Sequence, residues 1–148
     1  MCQILQRLLK CFIHQYFVTF EYLSWDEVKE QTVRVIKNWE FEEWETPFVA
    51  IINGQIVGMV TIMKSDYYPL PEVFPWISTL FVSEAFRGNR ISGKLIDFAN
   101  KYAKDIGFDR TYTQTEHIGL YEKYGYCYIQ DILNYGGDTD RLYDKELK

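Results

Sequence analysis

The sequence predicts an α/β (α+β) chain, a mixed sheet with helices on both faces. Three observations carry this. Two β-branched runs flank Asn53-Gly54, a strong signal for a tight hairpin. An apolar stripe from Ile91 to Ile106 repeats at helical spacing. After the hairpin, helices and strands alternate. The chain has 148 residues, 47% of them hydrophobic, which is enough for one domain with a buried core.

Ile4, Leu8, Leu9, Phe12, Ile13, Tyr16 and Phe17 predict an amphipathic helix, and residues 1–23 form an atypical opening. Ser24 and Glu27 form a capping box, with Leu23 and Val28 placed as a hydrophobic staple, opening a helix over 25–39. Residues 47–63 make the hairpin. Pro69, Pro71 and Pro75 mark 64–75 as a loop. Trp76 to Val82 is a strand, and the polar break 83–89 opens the long helix, which Gly107 stops. Residues 109–115 predict a strand and 118–124 a short helix ended by Gly125. Strands over 126–134 and 141–145 flank the Gly136-Gly137 turn.

Composition narrows the function. Sixteen basic against 21 acidic residues leave a net charge of −5, which argues against general nucleic-acid binding. Cys2, Cys11 and Cys127 are too scattered for a disulfide framework, and with only His14 and His117 no structural zinc site is expected. No apolar run reaches membrane-span length. The expectation is a reduced, cytoplasmic protein with no metal and no membrane or nucleic-acid partner. Aromatics reach 18%, which fits either a ring-rich core or a cleft lined by Tyr and Phe.

The chemistry concentrates in residues 80–95, where a strand ends, a glycine-bearing loop follows and a helix begins. Unpaired N–H groups and the helix dipole at such a start suit a phosphate. Arg87, Arg90, Lys94, Lys101 and Lys104 face only Asp97 within 87–104, a local +4 inside an acidic chain. That reversal points to an anionic ligand. Residues 88–94 have the G-x-x-x-x-G-K spacing of a phosphate-binding P-loop. Leu95 stands where that loop needs a Mg²⁺-binding Ser or Thr, so a nucleotide triphosphatase is rejected.

The segment resembles the acyl-CoA-binding motif of the GNAT acetyltransferase family, Gln/Arg-x-x-Gly-x-Gly/Ala after a Leu-x-Val strand end. Leu80-Phe81-Val82 is the strand end and Arg87 the first motif residue; Arg90 and Ser92 replace the two motif glycines, with Gly93 one place later. Gly119 to Tyr126, reading GLYEKYGY, is similar to the family's late signature, and Ile52-Asn53-Gly54 to Gly58 matches its usual hairpin. The resemblance covers residues 24–148. It implies a mostly antiparallel sheet opened by a strand that the first twenty residues do not show.

The resemblance also implies direct acetyl transfer from acetyl-CoA, the cosubstrate, to a primary amine. Leu80, Phe81 and Val82 would hold the thioester and pantetheine arm through backbone N–H groups. Arg87, Gly88, Asn89, Arg90, Ile91, Ser92, Gly93 and Lys94 would hold the pyrophosphate. Tyr121 takes the place of the general acid; a packed ring is the other reading of this residue. For the general base, Glu116, His117, Glu72 and a water chain all stay open. Tyr67, Tyr68 and Trp76 either line the acceptor pocket or pack in the core, and Asp66 and Glu72 would suit a cationic amine. The acceptor is a small molecule or peptide, and a homodimer is compatible with the family. The alternative is a non-catalytic acyl-CoA-binding or regulatory domain of the same fold; a third reading is an interaction domain.

Overall fold

The computed structural model describes residues 2–6, 34 and 40–148. The hairpin is built by β2 (Thr46–Ile52) and β3 (Gln55–Met63), which pair antiparallel and close at Ile52 and Gln55. Asn53 and Gly54 fill the turn at φ 51° and 76°. That positive-φ pair is what a type I′ turn requires, and Asn-Gly supplies it with little strain. The strand β1 (Gln3–Gln6) adds to the outer side of β2.

This strand corrects the helix expected from Ile4 onward, and it is the opening strand that the resemblance demanded. A short apolar stretch carries the same residues in either period, and here pairing with β2 decides. The remainder of that expected helix and the helix expected over 25–39, with Ser24 and Glu27, lie outside the described residues.

The strand β4 (Trp76–Val82) pairs antiparallel with β3. A 3-10 turn at Glu84–Phe86 leads to α1 (Ile91–Asp105), which returns the chain to β5 (Arg110–Thr115), parallel to β4. A second 3-10 turn at Tyr121–Tyr124 replaces the short helix expected over 118–124. The strands β6 (Cys127–Leu133) and β7 (Thr139–Glu146) form the closing hairpin. The sheet order is β1-β2-β3-β4-β5-β7-β6, and only β4 and β5 run parallel. The mixed, mostly antiparallel sheet is therefore present, with β7 inserted between β5 and β6.

On one face α1 buries Ile91, Leu95, Ile96, Ala99 and Ala103 against Phe48, Val57, Ile77, Tyr121 and Tyr143. On the other face the loop after β3 brings Tyr68 onto Trp76, with Ile132 and Leu142 completing a second cluster. The two tryptophan-side and helix-side clusters divide Trp76 from Ile77, as strand alternation dictates. Among the described residues, no helix is long and apolar enough to cross a membrane, and no three His, Cys, Asp or Glu converge on a metal position.

Close approach of three elements needs Gly58. A Cβ there would stand 2.8 Å from the Phe81 carbonyl oxygen and 3.2 Å from Leu95 Cδ1. Gly58→Ala is expected to lower the unfolding free energy by ~1–3 kcal/mol, the usual cost of overpacking, measured by urea titration.

Candidate functional site

The strands β4 and β5 share a single paired position, Trp76 with Tyr112. The Thr113 hydroxyl still reaches the Ile77 carbonyl at 3.0 Å. Beyond Ile77 the ladder between them ends. The cause lies in β4: from Ser78 to Phe81 it takes three steps while β3 takes two, from Thr61 to Met59. The extra residue is a bulge, and Thr79 sits in it at φ 52°. A β-branched residue there costs about 1–3 kcal/mol. Thr61 Oγ donates to the Ser78 carbonyl at 3.1 Å and lies 3.3 Å from Thr79 Oγ, bracing the bulge from β3.

The divergence leaves one side of β4 free of β5. The Ser83 N–H donates to Val57 at 2.8 Å. Strand alternation then turns the N–H groups of Leu80 and Val82 away from β3 and into the gap. Leu80, Phe81 and Val82 are all half-buried.

The loop after β4 stabilises itself. Arg87 Nε donates to the Val82 carbonyl at 3.1 Å, folding the arginine over the strand end. Asn89 Nδ2 donates to the carbonyls of Phe86 at 3.1 Å and Arg87 at 3.3 Å. Gly88 (φ 80°) and Arg90 (φ 58°) both adopt left-handed backbone, and Arg90 is the residue that starts α1. No side chain caps that start, and the first turn holds no acidic residue. Uncapped N–H groups, the dipole and the exposed Arg87, Arg90 and Lys94 favour an anion here. Lys101 and Lys104 lie about 15 and 20 Å along the helix axis from its start at Ile91. Lys101 pairs with Asp105 there, so only part of the local positive charge faces the loop.

The side chains of the next three residues serve the fold. Ile91 is in the core. Ser92 Oγ bonds the Tyr124 hydroxyl at 2.8 Å. A Cβ on Gly93 would stand 3.0 Å from the Tyr124 ring. The missing side chain of Gly93 thus admits the Tyr124 ring.

Tyr124 belongs to the second 3-10 turn, whose first residue is Tyr121. Tyr121 is 6% exposed and sits among the rings of Tyr126 at 5.6 Å, Tyr143 at 6.3 Å and Tyr124 at 6.4 Å. Burial holds its phenol above the ordinary Tyr range; a hydrogen bond with Thr113 works against that, and the charge of Asp66 adds to it. The phenol therefore keeps its proton at neutral pH. The turn is pinned from β7: Tyr143 donates to Glu122 Oε1 at 2.9 Å, and Lys145 Nζ donates to the Tyr124 carbonyl at 2.7 Å.

The other expected residues scatter. Glu116, His117 and Glu72 are exposed, and among the described residues none has a side-chain hydrogen bond; the His117 backbone N–H donates to Thr115 Oγ at 3.0 Å. Tyr68 and Trp76 are stacked at 5.7 Å in the second core cluster, which is the packing alternative. Tyr67 is 38% exposed and meets Tyr135 edge-on at 5.7 Å. Sequence reasoning gave Asp66 only a charge-matching part. The structure places its carboxylate on Ser78 of β4, where the Ser78 hydroxyl donates to it. No spacing rule links a loop residue to a strand residue twelve places on.

A model of the acetyltransferase (GNAT) family matches residues 5–126, so the chain belongs to that family and is an N-acetyltransferase. Solved structures share the fold. An aminoglycoside 6′-N-acetyltransferase complexed with coenzyme A superposes with TM-score 0.76 at 15% identity, over 100% of this chain and 97% of that one. The aminoglycoside 6′-N-acetyltransferase from Enterococcus faecium gives TM-score 0.73 at 15% identity, over 100% and 97%. An acetyltransferase from Streptococcus agalactiae 2603 gives TM-score 0.73 at 19% identity, over 99% and 98%. No curated protein matches the chain.

The Ser92–Tyr124 contact joins the loop to the turn. In a double-mutant cycle of Ser92→Ala and Tyr124→Phe, urea unfolding should return a coupling of ~1 kcal/mol, the net worth of one hydrogen bond.

Proposed function

We propose that the chain moves an acetyl group from acetyl-CoA directly to the primary amine of a small cationic molecule. The observation that carries this is the gap between β4 and β5, with an uncapped basic helix start at one end and a buried protonated phenol, Tyr121, beside it. The thioester and pantetheine arm enter the gap along Leu80–Val82, whose N–H groups stabilise the developing oxyanion. The pyrophosphate lies on the loop from Arg87 to Lys94, held by backbone N–H groups and by the guanidiniums of Arg87 and Arg90.

The amine nitrogen attacks the thioester carbon, the C–S bond breaks, and Tyr121 gives its proton to the departing thiolate. Family membership favours this over a non-catalytic acyl-CoA-binding domain. The aminoglycoside acetyltransferases among the fold neighbours, one complexed with coenzyme A, support an amine-bearing small molecule as acceptor. The net charge of −5 is compatible with a cationic one.

Two outcomes test the reading. Tyr121→Phe should lower kcat by ~10²-fold or more while acetyl-CoA affinity holds, measured by thiol release and calorimetry. Unchanged turnover removes Tyr121 as the acid. Arg87→Ala with Arg90→Ala should weaken acetyl-CoA binding, and the loss should shrink as salt rises. Equal affinity at low salt would put the pyrophosphate elsewhere.

A further inference from the structure

We infer that Asp66 accepts the proton of the attacking ammonium group, with Ser78 holding its carboxylate at the point where β4 leaves β5. The inference rests on the acetyl-transfer reading above.

Between Trp76 and Val82, β4 itself carries no carboxylate, and its polar side chains Ser78 and Thr79 are not bases at neutral pH. Ile77 faces α1, so Ser78 faces the opposite side of the sheet with Trp76. The loop after β3 folds over that side, and its stacking of Tyr68 on Trp76 anchors it. One residue before Tyr67, Asp66 meets Ser78. The Ser78 hydroxyl donates to Oδ2 and the Tyr67 N–H donates to Oδ1 at 2.6 Å. Each oxygen keeps a lone pair for a further donor. Among the described residues no cation forms an ion pair with Asp66.

Two groups from other elements are coupled to the Asp66 charge. Asp140 of β7, which accepts the Tyr68 hydroxyl at 2.7 Å, repels its charge. Tyr121, across the sheet in the α1 cluster, feels that charge in turn. Proton acceptor and proton donor thus lie on opposite faces of the sheet. They are joined through Ser78, Ile77 and Thr113, whose hydroxyl bonds the Ile77 carbonyl. Burial raises the Asp66 carboxyl above its usual range, against the lowering effect of the Ser78 and Tyr67 hydrogen bonds, so it is a stronger base than a surface aspartate.

The balance is complete without another reactant. Asp66 takes one proton from R–NH₃⁺, and the freed lone pair forms the C–N bond as the C–S bond breaks. The thiolate takes the proton of Tyr121. The second nitrogen proton returns through solvent to the phenolate, and Asp66 releases its proton to solvent. The sum is one amide, one thiol and one proton.

The experiment measures thiol release from acetyl-CoA with 1,4-diaminobutane, tryptamine and an aminoglycoside across pH 5 to 9. In the native protein, kcat/KM should fall as pH drops through the raised Asp66 pKa. Asp66→Asn should lower kcat by ~100-fold, erase that acid limb and leave acetyl-CoA affinity unchanged by calorimetry. Ser78→Ala removes a hydrogen bond that lowers the Asp66 pKa, so its acid limb should move to higher pH with a smaller loss of kcat. It carries the test if Asp66→Asn melts prematurely. An unchanged pH profile in these variants overturns the inference while acetyl transfer stands. No thiol release by the native protein with any of these amines overturns the reading of a small cationic amine as acceptor, and this one with it.

Discussion

The parting of β4 from β5 is the constraint on which the rest of the structure depends. A parallel pair normally continues its ladder for the length of the shorter strand. Here it is interrupted after Ile77 because β4 holds one residue more than β3 can match. The strain of Thr79 is tolerated because Thr61, itself buried, braces the same bulge. Without the bulge, the N–H groups of Leu80 and Val82 would be spent on β5. The site is thus made by withholding secondary structure at one place in an otherwise regular sheet.

Aromatic packing then fixes the surroundings of that opening. Tyr124 touches Ser92 and Gly93 at the start of α1, while Tyr121, three residues earlier in the same 3-10 turn, is buried. Tyr143 reaches from the fully buried centre of β7 to Glu122, and Arg141 Nε donates to the same Tyr143 hydroxyl at 3.0 Å. Much of the Tyr excess in the composition is therefore a scaffold for one phenol and one loop.

Local features were legible in the sequence. Asn53-Gly54, the Ile91–Ile106 stripe and the Gly125 stop each act over a few residues, and each stands where its chemistry put it. The basic loop was legible because charge and glycine mark it directly. Strand β1 was not, since its four residues owe their conformation to a partner more than forty residues on. Asp66 was not either: its environment comes from Ser78, Asp140 and the Tyr68–Trp76 stack, which only the folded loop assembles. The contact of Gly93 with Tyr124 was not legible either, because Tyr124 lies some thirty residues on, beyond β5.

The insertion of β7 between β5 and β6 has a consequence for how the chain matures. On the ribosome, Thr115 must wait for Arg141 and Arg110 for Glu146 before β5 gains its antiparallel partner. Until then the turn bearing Tyr121 lacks both Tyr143 and Lys145. A nascent chain halted before Arg141 has made the loop after β4 and the Tyr121 phenol, joined through Ser92 and Tyr124, but the turn still lacks its anchors from β7. Competence for chemistry therefore arrives with a late strand in chain order, in a single closing step.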